Sequence, residues 1–249
     1  MRIAYVVPGP MSKGPMGAKE VERRERLLND WAFDGTVVQV RDVATGPSSI
    51  ESAYEEAQSI PATLDLIMLC EEEGYDAAII GCFSDPGLEA ARELVDMPVI
   101  GPCESSMLLA AGLGRKFGVL TIYDNLIAGQ ELLAFKAGVR DKLASVRATN
   151  IAVLDLMSDM DRTLQTIIDI GGRAVREDRA DALLLGCMTM SFLDVAEKVS
   201  KELGVPVINA GKAALKAAEG LVSQSLSHSK TAFAVPPKIV AGKSKQSAA

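Results

Sequence analysis

The sequence predicts an α/β fold of two pseudo-symmetric lobes, each a roughly four-stranded parallel sheet flanked by helices, with an active site between the lobes. The main observation is an internal repeat: residues 76–82 and 181–187 both read Asp-Ala, three apolar residues, Gly and Cys. Fully apolar runs of this kind are typical of buried parallel strands. Each repeat is followed by a helix-like segment and then by Pro-Val-Ile, at 98–100 and 206–208. Strands that alternate with helices in this way favour parallel sheets with right-handed crossovers.

The first half of the chain supplies one set of strands and helices. Apolar runs predict its strands at 2–7, 36–40, 76–82 and 98–101. Ser49 is the expected N-cap of the helix that follows it, and Pro61 is expected to kink or split that helix. Ser84 or Asp85 is expected to cap the helix after the first repeat.

A run of charged residues at 19–26 lies in the helix predicted for 18–31. Charge runs on predicted helices usually form a solvent-exposed face, and we expect the same here.

The second half repeats this order after a break at 112–114. Its strands are predicted at 117–123, within 146–154, at 181–187 and at 206–208, and its helices at 125–137, 161–178 and about 211–226. We therefore assign residues 1–114, together with the C-terminal helix at about 211–226, to lobe one and residues 115–210 to lobe two. Residues 227–249 lack apolar periodicity and are expected to form a mobile tail.

The bulk composition argues against several classes of function. A net charge of -7 and a pI near 4.9 disfavour a nucleic-acid partner or an anionic membrane surface. No uncharged apolar run approaches the roughly 20 residues of a membrane span. Four cysteines without a secretory leader indicate free thiols in a reducing compartment, so we expect a cytoplasmic protein whose partner is a small-molecule substrate.

Few kinds of side chain are available for chemistry. No CxxC motif or Cys/His cluster is present, so we expect no metal site. The single histidine, His228, lies in the Ser/Lys-rich tail, which removes a Ser-His-Asp or Cys-His arrangement. No cofactor-binding motif stands out, and we expect no cofactor. Acid–base chemistry is left to cysteines, carboxylates, lysines and tyrosines.

Cys82 and Cys187 are the candidate catalytic residues. Both end a predicted strand at the same offset in the repeat, and ligands bind at the carboxyl ends of parallel strands. Each precedes a predicted helix N-terminus, where a thiolate is stabilised, so we expect a lowered thiol pKa. Backbone N–H groups at 83–84 and 188–189 could hold an oxyanion. Sulfurs that flank one pocket from opposite sides suit inversion at a carbon; the alternative is that both thiols are buried core groups.

Several motifs resemble those of the Asp/Glu/hydantoin racemase superfamily. They are Gly46-Pro47-Ser48-Ser49, Cys82-Phe83-Ser84-Asp85-Pro86-Gly87-Leu88, Pro98-Val99-Ile100-Gly101, Phe117-Gly118-Val119-Leu120-Thr121 and Leu185-Gly186-Cys187-Met188. The similarity covers about residues 1–225 and is greatest to the hydantoin racemase branch.

This resemblance implies a cofactor-independent racemase that uses Cys82 and Cys187 as its acid/base pair. The substrates that it implies are 5-substituted hydantoins or related amino-acid derivatives. Substrate contacts are implied for Phe83, Ser84, Tyr123, Met188 and Thr189. Since members of this superfamily usually self-associate, a homo-oligomer is expected.

The sequence departs from the family pattern beside the expected pocket. Related sequences usually carry Asn-Pro-Asn after the first strand, where this chain reads Val7-Pro8-Gly9-Pro10. They commonly have Cys-Ala-Gly-Met where this chain has Cys187-Met188-Thr189-Met190. These changes leave the substrate open. The alternatives are an aspartate/glutamate-type amino-acid racemase, a maleate isomerase-like cis-trans isomerase on the same scaffold, and a small-molecule binding protein with two buried cysteines.

Overall fold

The computed structural model of the protein describes residues 1–239, and this part of the chain contains two four-stranded parallel sheets. In lobe one the strands are β1 (Arg2–Val7), β2 (Val37–Asp42), β3 (Ala77–Ile80) and β4 (Val99–Ile100), in the order β2-β1-β3-β4. In lobe two they are β5 (Phe117–Thr121), β6 (Leu143–Ala148), β7 (Ala182–Leu185) and β8 (Val207–Ile208), in the order β6-β5-β7-β8. The predicted α/β fold is confirmed, and the two sheets repeat one strand order.

Helices connect the strands and cover the sheets. They are α1 (Gly17–Trp31), α2 (Ala53–Glu72), α3 (Leu88–Leu94), α4 (Pro102–Leu113), α5 (Ile127–Lys136), α6 (Met160–Glu177), α7 (Met188–Phe192), α8 (Ala196–Leu203) and α9 (Ala210–Ser223). Helix α4 connects the two sheets, and α9 packs against it and against β3 and β4 of lobe one. No helix among residues 1–239 has the length and apolarity required to cross a lipid bilayer.

The acidic residue that opens each repeat ties the repeat strand to the central strand of its sheet. Asp76 accepts a hydrogen bond from the backbone N–H of Arg2, at 2.6 Å. Asp181 accepts the N–H groups of Arg115 and Lys116, at 2.9 and 3.0 Å. These backbone donors lie at or just before the start of β1 and β5, where the sheet itself leaves them unpaired. The repeated Asp therefore fixes the same strand pairing in both lobes.

Helix α2 departs from two expectations. It runs unbroken through Pro61, although a proline in a helix interior removes one backbone donor. The hydroxyls of Ser59 and Thr63 donate to the carbonyls of Glu56 and Ser59, which supplies alternative hydrogen bonds around the proline. The N-cap is Ser52 rather than Ser49, because the Ser52 side chain accepts the N–H of Glu55.

Asp85 caps a helix other than the one that follows it. The N-cap position of α3 is Gly87, in a left-handed conformation with φ of 72°. The buried Asp85 carboxyl instead accepts the N–H groups of Cys103 and Glu104 at the start of α4, both at 2.9 Å. The loop after β3 is therefore anchored to the helix that leads into lobe two.

Part of the segment expected to be a mobile tail lies against lobe one. The His228 ring accepts the N–H of Val99 at 3.1 Å, and the Lys230 ammonium donates to the carbonyls of Arg92 and Val95. The guanidinium of Arg92 lies 5.5 Å from the ring centre of Phe233. These contacts place residues 227–233 along the edge strand β4 and helix α3. Residues 240–249 lie outside the described part of the chain.

Candidate active site

The glycine before each repeat cysteine lies in close contact with the neighbouring strand of its sheet. The N–H of Gly81 donates to the carbonyl of Val6 at 2.7 Å, and the N–H of Gly186 donates to the carbonyl of Leu120 at 2.8 Å. A side chain at Gly81 would meet the Tyr5 ring at 2.8 Å, and one at Gly186 would meet Val119 at 2.7 Å. Both positions therefore require glycine, and each glycine delivers the following cysteine to the rim of its sheet.

Both cysteines line one cavity of about 320 Å³ between the lobes. Four further predicted site residues line the same cavity: Phe83, Ser84, Met188 and Thr189. Tyr123 does not line this cavity, and its side chain lies in a separate polar pocket beside Asn150, Asp155 and Arg162. The expectation that Tyr123 contacts substrate is not supported by this position. The preceding residue, Ile122, faces the cavity instead.

Cys82 is a half-buried thiol held by polar groups of its own loop. Its Sγ lies 3.3 Å from the hydroxyl oxygen of Ser84. Burial raises the pKa of Cys82 to about 12, against smaller lowering contributions from the Ser84 hydroxyl and N–H, and with further raising contributions from Cys187 and Glu56.

Cys187 is buried and is the N-cap residue of α7. Burial is again the largest effect and raises the pKa of its thiol, while the N–H groups of Met190 and Thr189 and the charge of Arg24 lower it. The helix N-terminus thus acts in the expected direction. The expectation of a lowered thiol pKa is nevertheless wrong, because desolvation of the thiolate outweighs these donors.

Arg24 is a cavity residue that the sequence did not point to. It belongs to the charge run of α1, but its side chain is buried and lines the cavity. Its Nε donates to Glu20 at 2.8 Å, its Nη2 donates to the hydroxyl of Thr189 at 3.0 Å, and its guanidinium lies 4.7 Å from the Phe192 ring centre. The expectation of a fully exposed charged face is therefore wrong at 20 and 24. These positions share a buried stripe with Leu28, and their four-residue spacing is the pattern that could have revealed it.

Two buried polar atoms beside the cysteines have no hydrogen-bond partner among residues 1–239: the Oε1 of Gln130 and the hydroxyl of Tyr5. Gln130 lines the cavity and is 5% exposed. Its Nε2 donates to the Thr121 hydroxyl at 2.6 Å and faces the Gly186 carbonyl at 3.5 Å, so the amide oxygen is the free end. A buried polar atom without a partner costs free energy unless a ligand satisfies it.

The remaining wall of the cavity is mostly apolar. It is lined by Met11, Met16, Ile50, Ile122, Leu126, Leu132, Leu133 and Val153. Glu56 and Lys136 also line the cavity and carry side chains of opposite charge type. The site thus combines a polar base around the two thiols with an apolar region suited to a hydrocarbon substituent.

Known proteins resemble this chain in sequence and in fold. The family model described as Asp/Glu/Hydantoin racemase matches residues 17–218. A hydantoin racemase of Pseudomonas sp. (strain NS671) is 44% identical over 177 residues, which are 71% of this chain and 70% of that protein. A hydantoin racemase of Rhizobium meliloti is 36% identical over 232 residues, 93% of this chain and 94% of that one.

The solved structure of allantoin racemase from Klebsiella pneumoniae superposes with a TM-score of 0.86 at 31% identity and covers 95% of this chain and 94% of that one. Fold and relatives together define an isomerase of the racemase class. The chain belongs to the Asp/Glu/hydantoin racemase family.

Proposed function

We propose that this protein racemises 5-substituted hydantoins, without a cofactor, by proton transfer between C5 of the substrate and the thiols of Cys82 and Cys187. The observation that carries the proposal is the position of the two cysteines, which end equivalent strands of the two lobes and line one cavity. A base and an acid on different sides of one carbon are what inversion requires. The hydantoin racemases of Pseudomonas sp. and Rhizobium meliloti support the substrate class.

The proton of C5 is acidic because its removal gives an enolate whose charge rests on the adjacent carbonyl oxygen. That oxygen needs hydrogen-bond donors placed before the reaction. The hydroxyls of Ser84 and Thr189 and the N–H groups beside them lie next to the two sulfurs. They are the donors that we assign to the substrate's carbonyl groups.

Gln130 favours a substrate whose ring carries N–H groups. Its Oε1 is a buried acceptor without a partner among residues 1–239, close to Gly186, on a residue that lines the cavity. A hydantoin ring has two N–H donors, and one of them would satisfy this oxygen. The apolar wall would then receive the substituent at C5, which favours isopropyl or benzyl groups over charged ones.

Proton exchange tests the proposal directly. Each pure enantiomer of 5-benzylhydantoin is incubated with the enzyme in heavy water, and racemisation is followed by circular dichroism while C5 deuterium is measured by mass spectrometry. We expect loss of optical activity with deuterium incorporation, and loss of turnover in both Cys82→Ser and Cys187→Ser. The proposal would be contradicted if the enzyme caused no C5 or Cα exchange with any of the hydantoins, allantoin, aspartate and glutamate.

A further inference from the structure

The cavity holds a buried cation whose donors the protein does not fully use. Arg24 is 1% exposed and lines the cavity. Its Nε donates to Glu20 at 2.8 Å, and its Nη2 donates to the Thr189 hydroxyl at 3.0 Å and lies 3.7 Å from the Met16 sulfur. The Nη1 group has no hydrogen-bond acceptor among residues 1–239. Because a guanidinium has donors only, Nη1 is free to bind an acceptor that a ligand brings.

The charge of Arg24 is only partly neutralised. Its ion-pair partner Glu20 lies 2.8 Å from Arg24 and 2.6 Å from Arg23, so two guanidinium groups share one carboxylate. The Arg23 side chain is 31% exposed, and water screens its charge. The Arg24 side chain is 2% exposed and has no such screening. Positive charge is therefore in excess where Arg24 lines the cavity, and a buried charge of this kind is costly unless a counter-charge meets it.

Two hydroxyl groups beside Arg24 add further donors. The Thr189 oxygen accepts from the guanidinium, so the Thr189 proton is directed elsewhere. The Tyr5 hydroxyl lies close enough for Arg24 to lower its pKa, but burial is the larger effect and raises that pKa, so the hydroxyl keeps its proton. Its oxygen has no hydrogen-bond partner in the described part of the chain. Donors and positive charge gathered in this way suit an oxygen atom that carries negative charge.

Negative charge belongs to the other cysteine loop. Glu56 lines the cavity, and the Ser84 hydroxyl beside Cys82 lowers the pKa of its carboxyl against the raising effect of burial. The charge of Glu56 in turn raises the pKa of Cys82. An anionic oxygen is repelled near Ser84 and attracted near Thr189 and Arg24. The charges of the cavity therefore select the side that receives a developing negative charge.

We infer that Arg24 is a further catalytic residue, which together with Thr189 binds the C4 carbonyl oxygen of the substrate and neutralises the charge that forms on it. For the reaction, this inference rests on the proposed function. One sulfur takes the C5 proton, and the electron pair of the broken C–H bond passes onto the C4 oxygen as an enolate. The other sulfur gives a proton to the opposite face of C5, and the pair returns to form the new C–H bond. The guanidinium binds the enolate more strongly than the ground-state carbonyl, which is what catalysis requires.

Two planar ligands of different charge test this anion site without turnover. 5-Benzylbarbiturate is an enolate at neutral pH, whereas 5-benzyluracil is neutral and shares its ring size, benzyl group and C4 carbonyl. Neither has a hydrogen on a tetrahedral C5, so neither is racemised. Dissociation constants are measured on the whole protein at neutral pH by isothermal titration calorimetry. We expect the barbiturate to bind about tenfold to hundredfold more tightly, because hydrogen bonds to charged groups are the stronger ones.

Variants of helix α1 identify the cause of the preference. Arg24→Gln should weaken binding of the barbiturate about tenfold or more and that of the uracil less than about threefold, and Arg24→Lys should restore part of the loss. Arg26→Gln is the matched control, because it removes the same charge from the same helix at an exposed, water-screened position and should keep the preference. If Arg24→Gln does not fold, Thr189→Val removes the neighbouring hydroxyl, keeps the ion pairs of Glu20 and should weaken only the barbiturate.

Turnover gives the second readout. With 5-benzylhydantoin as substrate, Arg24→Gln should lower kcat more than it changes KM, because the charge on the oxygen forms in the transition state.

The outcomes separate this inference from the proposed reaction. Equal affinities for the two ligands, no binding of the barbiturate, or equal losses in Arg24→Gln and Arg26→Gln would overturn the anion site even in an active racemase. An unchanged kcat in Arg24→Gln would overturn the catalytic role of Arg24. A preference for the barbiturate that depends on Arg24, in a protein that racemises no hydantoin, would uphold the anion site and contradict the reaction.

Discussion

Replacement of Gly186 by alanine tests the packing that presents Cys187. The new Cβ would lie 2.7 Å from the Val119 side chain and 3.0 Å from the Leu120 carbonyl oxygen. Both neighbours belong to the central strand β5, whose carbonyl also accepts the N–H of Gly186 at 2.8 Å. Neither can give way unless the strand end moves.

We expect Gly186→Ala to reduce the free energy of unfolding by about 2 kcal/mol, within the range of core overpacking. For a domain of this size that is a fall of about 4–8 °C in Tm, measured by circular dichroism at 222 nm. Because the shift also displaces Cys187, kcat should fall more than KM changes.

Gly220→Ala is the matched control. Gly220 lies in α9, and a Cβ there meets no atom within 4 Å. Alanine is the better helix former, so this variant should keep or gain up to about 1 kcal/mol. If Gly186→Ala has the same Tm as the wild type and remains fully active, the close-approach explanation of the Gly-Cys motif is wrong.

Four further predictions concern the loop after β3, the cavity and the assembly state. Burial raises the pKa of Asp85 to about 7, above its unfolded value near 3.9, so its stabilising contribution is present below pH ~4 and is lost as pH rises towards 7. Urea titrations should show Asp85→Asn removing that slope, which is at most about 1.4 kcal/mol per pH unit; an unchanged slope would contradict it. Gln130→Met should cut kcat/KM for a hydantoin by about tenfold or more by removing the free acceptor, and a wild-type value would exclude this contact. Initial rates should be higher for 5-isopropyl- and 5-benzylhydantoin than for a 5-carboxymethyl analogue, and the reverse order would contradict the apolar wall. Light scattering should give a mass above the 26.4 kDa of one chain, since we expect a homo-oligomer; a mass of one chain would rule that out.

The fold could be predicted from the sequence because its determinants are local and repeated. The apolar strands at 77–80 and 182–185, the preceding Asp and the following Gly-Cys recur at the same spacing in both halves. The run of apolar residues and its repetition can be read from the sequence alone. The position of Cys82 and Cys187 at strand ends follows from the same pattern.

The electrostatics of the site could not be predicted in the same way. Arg24 lies more than 150 residues from Thr189 in sequence, and its charge run also holds the exposed residues Lys19, Glu22 and Arg26. Gln130 is one polar residue of an ordinary helix, and only the fold shows that its amide oxygen is buried without a partner among residues 1–239. The thiol pKa was predicted in the wrong direction because burial depends on both lobes, whereas the helix N-terminus is visible locally.

One-sided hydrogen exchange tests the two-thiol claim most directly. Each enantiomer of 5-benzylhydantoin is incubated in heavy water with Cys82→Ser or Cys187→Ser, and C5 deuterium is measured by mass spectrometry against a protein-free control. We predict that each variant exchanges the C5 hydrogen of only one enantiomer, that the two variants choose opposite enantiomers, and that neither racemises its substrate. Exchange of both enantiomers by one single-cysteine variant, or full racemisation by either, would contradict the assignment of one thiol to each face of the carbon.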